Sequence, residues 1–211
     1  TMAQRAGDTD MLGRPVPAGE PLAGPIPPSV DLDAIAARSS PRVFNGSASV
    51  SEDVFRWSMA TSLRGSRVDH FVAVLGVDGV EPGLYRWPDL QRPIRSGNLR
   101  EEAFRVCVDQ ELGRDAAFVV IGATDIEQID DRGYREAQLD SGLVGGRFHL
   151  AAAALGIGAS GMTLYDGDLP EFLGEPLAGL MLTCVGVPSR RGLPGGPPGE
   201  PIVLPSQRVT G

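Results

Sequence analysis

The chain contains no lysine, and all 19 of its basic residues are arginine. That absence excludes Schiff-base chemistry on a lysine amine and the phosphate-holding lysine of a P-loop. Cysteine and histidine are scarce, at two residues each. Their spacing does not suit a structural zinc site, so Cys107 and Cys184 are expected to be buried free thiols. No apolar run is long enough to span a bilayer, and the first residues lack the apolar core of a signal peptide. A soluble, cytoplasmic protein is the expectation. With a net charge of −8 and no basic run, the chain is not expected to have nucleic acid or an anionic membrane as its main partner.

What is present suits one globular unit. The 211 residues are 42% hydrophobic and 22% charged, enough for a substantial core. Both ends read differently from the middle. Residues 1–30 and 192–211 are rich in proline and glycine without hydrophobic periodicity, and read as extended arms around a domain spanning 31–191. Arms that cannot pack alone need a surface. Exchange between two copies supplies one, so a homodimer is expected.

The long stretch over residues 134–162 organises the rest. It holds no proline, its first two-thirds favour helix, and Gly156 marks the end. Gly142, Gly145, Gly146 and four consecutive alanines leave it thin, so other backbone can approach closely. Residues 150–155 are apolar all round, which predicts burial.

Other elements follow from pattern. Residues 31–38 predict a short helix. Residues 51–64 predict an amphipathic helix capped by Ser51, with Glu52 and Asp53 in its first turn. Residues 70–77 and 83–87 read as a looped hairpin, 99–112 as a second amphipathic helix, and 116–123 as a strand buried on both faces. A short extended piece at 160–165, a small helix at 166–173 and a last buried strand at 177–187 complete an α+β domain. Its single sheet has helices on both faces.

Candidate chemistry is sparse. Arg38, Ser39, Ser40 and Arg42 put two guanidinium forks and two hydroxyls within five residues, a set suited to a dianionic phosphate or to a solvated loop. The glycine-rich segment 156–161 could turn backbone N–H groups toward a ligand or simply cap a helix. His70 and His149 read as hydrogen-bonded core histidines rather than bases. There is no G-x-S-x-G elbow, because the segment from Gly158 ends in Met162. The glycines at 156, 158 and 161 match a dinucleotide fingerprint in spacing but follow a helix, so that site is rejected.

Four motifs in order carry a resemblance. These are the arginine-serine-x-arginine run at 39-flanking positions Arg38 to Arg42, the P-G-L-Y-x-W hairpin, the Y-R-x-A-x-L-x-x-G helix running to L-G-I-G-A, and a closing strand ending in V-G-x-P. Together they resemble the nitroreductase-like flavoproteins over about residues 30–191, and within these the branch of SagB-type dehydrogenases of thiazole/oxazole-modified peptides. The resemblance implies a mainly antiparallel central sheet flanked by helices, and a homodimer with FMN at the interface. It implies that Arg38, Ser40 and Arg42 hold the phosphate and ribityl chain with Arg190 and Arg191. It sets backbone at Gly161, Met162 and Thr163 against the flavin N5 edge. The implied activity is FMN-dependent hydride transfer between NAD(P)H or an organic substrate and a small electrophile such as a quinone or nitro compound, or dehydrogenation of a peptide-derived ring.

The chain also departs from the family pattern. A proline-serine-glycine-glycine segment usual beneath the flavin is replaced by Ser62 to Arg67, a glycine usual near Thr163 is missing, and no catalytic residue is identified. The alternative expectation is therefore a catalytically degenerate relative that acts as a flavin-binding, scaffold or partner subunit.

Overall fold

A computed structural model describes residues 17–20, 31, 33–35 and 38–190. The expected arms at 1–30 and 192–211 lie outside the described residues, save for 17–20. Arg191 lies outside them as well.

Six strands form one sheet. They are β1 (Asp69–Val74), β2 (Gly83–Arg86), β3 (Arg95–Ser96), β4 (Phe118–Thr124), β5 (Gly158–Met162) and β6 (Ala178–Gly186), in the spatial order β3-β2-β1-β4-β6-β5. Every pairing within it is antiparallel. Alternation along the central strands builds two cores, because successive side chains point to opposite faces. Phe71 and Ala73 of β1, Val119 and Ile121 of β4, and Leu182 and Cys184 of β6 face one side. Val72, Val74, Phe118, Val120 and Val185 face the other.

Helices cover both faces. The first core lies beneath α2 (Arg100–Val106), α3 (Glu111–Asp115) and α5 (Leu169–Leu173), whose Ala103, Val106, Leu112, Leu169, Phe172 and Leu173 are buried in it. The second lies beneath α1 (Glu52–Leu63) and the long α4 (Asp131–Ala154). There Phe55 of α1 meets Phe118 edge-on with ring centroids 4.9 Å apart, and Phe148 of α4 meets the same ring at 6.4 Å. Such pairs add to area burial by placing ring edges on ring faces.

Local chemistry explains the element ends. Ser51 caps α1, its side chain accepting from the Val54 N–H. Asp130 caps α4, accepting from the Gly133 N–H at 2.7 Å, so this helix starts earlier than propensity alone suggests. At its far end Gly156 takes φ +73° and the Ile157 N–H returns to the Ala152 carbonyl, closing the helix as expected.

Three expectations are corrected. The helix expected over 99–112 is two helices, α2 and α3. The chain turns between them at Val108 and Asp109, both in the left-handed region with φ of 60° and 52°. Of the helix expected over 31–38, Asp33–Ile35 form a 3-10 turn, residues 31 and 38 are non-helical, and residues 32, 36 and 37 lie outside the described residues. Residues 150–155 are not buried all round, since Leu150 is 42% exposed. The thin-helix argument holds at Gly145, where an added Cβ would meet Met181 Cε at 3.1 Å, but Gly142 and Gly146 face open space.

Candidate functional site

The sheet ends at β5, paired on one side by β6 and on the other by no described strand. An edge strand carries outward-pointing backbone N–H and C=O groups that are free to bind something else. Gly161 and Thr163, at the end of this edge, are exposed, and Met162 between them packs partly on the first core. An added Cβ at Gly161 would stand 2.8 Å from Met181 Cε, the movable end of that side chain.

The N-terminal segment is drawn alongside by two contacts. The Asp31 N–H donates to the Ala154 carbonyl at 2.6 Å, fixing the segment to the end of α4. Further on, Phe44 bridges Pro188 in antiparallel register, with the Asn45 N–H donating to Val187 O at 2.8 Å and the Ser189 N–H to Val43 O at 3.0 Å. Arg42 and Arg190 each lie two residues outward from that bridge, so the two strands bring them to the same rim. Pro41 and Pro188 meet over Gly158, where an added Cβ would stand 2.7 Å from Pro41 Cγ and 2.9 Å from Pro188 Cγ. The rim is thus bound to the start of β5.

Arg38, Ser40, Arg42 and Arg190 are all exposed. None of the three guanidinium groups has a carboxylate partner among the described residues, whereas Arg56, Arg86, Arg95, Arg114 and Arg132 are all in ion pairs. Arg38 donates only to the Ile35 carbonyl, at 3.2 Å. A chain with eight more negative than positive charges could pair these arginines readily. Guanidinium groups without a carboxylate partner are available to an anion. The donor set fits a flavin mononucleotide: guanidinium and hydroxyl for a phosphate, flat edge backbone for a ring.

His149 differs from the hydrogen-bonded core histidine that its place among alanines predicts. The imidazole is half-buried, and Nε2 lies 4.0 Å from where a Gly161 side chain would begin. Burial, and then the nearby Arg38 charge, push its pKa below the ordinary value. Adjacency of residues this distant in sequence leaves no local signal. His70 does behave as expected, buried with its Nδ1 2.8 Å from the Val68 carbonyl.

Two concave sites lie elsewhere. A cavity of about 430 Å³ opens beside the hairpin between Arg56, Glu81, Tyr85 and Asn98. A smaller one of about 220 Å³ lies between Arg67, Thr124, Glu136 and Asp140.

The segment after α1 is short and tied down. Arg147 of α4 donates to the Arg64 carbonyl at 2.7 Å and the Ser62 carbonyl at 3.4 Å. Gly65 and Gly19 pack backbone to backbone, each with positive φ, and an added Cβ on Gly65 would stand 2.6 Å from Pro17 O. Among the described residues, no group of histidine, cysteine and carboxylate side chains could hold a metal ion, and no helix is long and apolar enough to cross a membrane.

No family model matches the chain, and no curated protein matches it. Solved structures do. A protein of Anabaena variabilis assigned as a nitroreductase is 35% identical over 72% of this chain, with a TM-score of 0.65. The matched region is 36% of that protein, so the chain spans about a third of its length. A protein of Ralstonia eutropha, also assigned as a nitroreductase, is 16% identical over 81% of this chain and 89% of its own, with a TM-score of 0.60. The NADPH:FMN oxidoreductase of Vibrio harveyi, solved with NAD+, is 18% identical over 82% of this chain and 73% of its own, with a TM-score of 0.53. The fold is nitroreductase-like α+β, as the motif order implied.

Proposed function

We propose that this chain is an FMN-dependent oxidoreductase of the nitroreductase type, taking hydride from NAD(P)H or an organic substrate. The reading is supported by exposed Arg38, Arg42 and Arg190, which have no carboxylate partner among the described residues, with Arg42 and Arg190 in register across the Phe44–Pro188 bridge. FMN, when bound, supplies reversible hydride acceptance and donation. The arginines and Ser40 bind the phosphate, and backbone at Gly161, Met162 and Thr163 orients the ring edge. The motif order supports a SagB-type substrate such as a peptide-derived ring, alongside a quinone or nitro compound.

A homodimer completes the site in this reading. Leu139, Leu143 and Leu150 stand on one side of α4 at 56%, 41% and 42% exposure, flanking Gly142 and Gly146, which meet nothing. An apolar stripe of that kind supports pairing with a second copy across α4.

The few residues between α1 and β1 favour a second reading, a catalytically degenerate relative serving as a flavin-binding, scaffold or partner subunit. Carbonyls there are taken by Arg147, and the Gly65 backbone is covered by residues 17–20. Arg42→Ala tests the phosphate assignment, and NAD(P)H oxidation by the FMN-loaded chain separates the two readings. Loss of FMN binding in that variant, with riboflavin binding unchanged, supports the phosphate site, whereas unchanged FMN affinity removes that assignment.

A further inference from the structure

We infer that the cavity of about 220 Å³ beside the first turns of α4 binds a small zwitterion, an aliphatic α-amino acid. Asp140 takes its ammonium and Arg67 its carboxylate. This goes beyond the FMN reading and does not rest on it.

The cavity lies at the other end of the sheet from the arginine rim. Thr124 on its wall pairs with Ala178 at the start of β6, whereas Gly158 beneath the rim pairs with Gly186 at the end of that strand. At about 3.3 Å per residue, the length of β6 sets the two places roughly 26 Å apart. The remaining walls come from the link after α1 and from α4, where Gly133 and Ala137 stand one turn apart and leave room. Val68 and Ile129 add apolar surface. A space of about 220 Å³ falls below the roughly 300–1,000 Å³ of sites for drug-sized molecules, so its ligand is small.

Charge decides the ligand class. Asp140 is 1% exposed and lines the cavity; one carboxylate oxygen accepts from the Arg67 N–H at 2.7 Å, and the other has no partner. A buried carboxylate oxygen left bare is satisfied best by a charged donor. Glu136, one turn earlier on the same face, is already engaged by Arg132 at 3.4 Å. Arg67 lines the same cavity from an exposed position, and its guanidinium has no ion-pair partner among the described residues. Asp140 holds only the backbone of Arg67, so the guanidinium and the bare oxygen remain two separate points of recognition. An amine alone would meet the like charge of Arg67, and a carboxylate alone that of Asp140. A zwitterion complements both, and Val68, Ile129 and Ala137 suit an aliphatic side chain beside it.

The test is calorimetric titration of the full chain with L-leucine, 4-methylpentanoate and isopentylamine. The second and third ligands are leucine without its ammonium and without its carboxylate. Leucine should bind, and each analogue should bind at least about tenfold more weakly. Asp140→Asn keeps an acceptor for the Arg67 N–H but loses the charge, and should weaken leucine about tenfold. Arg67→Gln, at an exposed position, should bring isopentylamine level with leucine. Ala137→Leu fills the space and should abolish binding, with thermal melting confirming that each variant folds. Leucine that fails to bind at millimolar concentration, or that binds Ala137→Leu as tightly as the unaltered chain, overturns the site. Equal affinities for the three ligands overturn zwitterion recognition.

Discussion

Asp140 accepts a hydrogen bond from the backbone N–H of Arg67 at 2.7 Å, tying the middle of α4 to the short link between α1 and β1. Asp140 is 1% exposed, and its second carboxylate oxygen has no partner, as is also true of the adjacent Ser141 hydroxyl. A buried carboxylate held by one backbone donor is sensitive to truncation. Asp140→Ala leaves the Arg67 N–H unpaired and should cost about 2–3 kcal/mol. Asp140→Asn keeps an acceptor and should cost less. Denaturant midpoints at constant m-value measure both, and an alanine variant as stable as the parent would remove this tie from the account.

His70 makes stability depend on pH. Burial, the largest influence, pushes its pKa below the ordinary value, against the opposing effects of the Val68 carbonyl and the charges of Asp140 and Asp69. The unfolded chain therefore binds more protons than the folded one across the window between the folded value and about pH 6.5. Stability is complete above that window and falls as pH drops through it. Thermal melts of the chain and of His70→Gln should converge toward acid pH, with the parent losing more. Parallel pH curves would contradict the assignment.

The two cysteines should be inert in the folded chain. Cys107 and Cys184 are fully buried with sulfurs 3.8 Å apart, and the hydrogen bond with Cys107, then burial, pushes the Cys184 thiol upward. Burial keeps a reagent from both, and at Cys184 the reactive thiolate is disfavoured as well. A thiol reagent should label neither residue in buffer and both in denaturant. Native-state labelling at a rate near that of the unfolded chain would disprove the burial.

The stripe on α4 predicts an oligomer that one charge can break. Leu143→Asp places a carboxylate in the middle of the exposed apolar face without touching either core. Sedimentation should find the parent dimeric and the variant monomeric, with far-UV circular dichroism unchanged. A monomeric parent would leave the stripe without its proposed occupant.

Periodicity made the fold legible where one element decides its own environment. The β-rich run at β4 announced a strand buried on both faces, and Ser51 and Gly156 marked helix ends through local hydrogen bonding. It failed where packing decides. Residues 99–112 contain neither glycine nor proline, so nothing local announces the turn at Val108 and Asp109. The two-residue β3 is too short to show alternation. Leu150 looks like core because its neighbours are apolar, but it stays 42% exposed on the outer side of α4. At the candidate site, the sequence exposed the arginine-rich run but not its geometry. Arg42 meets the rim of Arg190 through the Phe44–Pro188 bridge, and His149 meets Gly161 across a helix and a strand, both of them long-range pairings.

The most direct measurement is the affinity of the purified chain for FMN and riboflavin, read by flavin fluorescence quenching alongside the visible spectrum of the protein as isolated. Unpaired Arg38, Arg42 and Arg190 predict a yellow protein that binds FMN at least about tenfold more tightly than riboflavin, since the two ligands differ only in the phosphate these side chains would hold. Equal affinities, or a colourless protein that takes up neither flavin, would contradict the account and leave a nitroreductase-like fold serving another purpose.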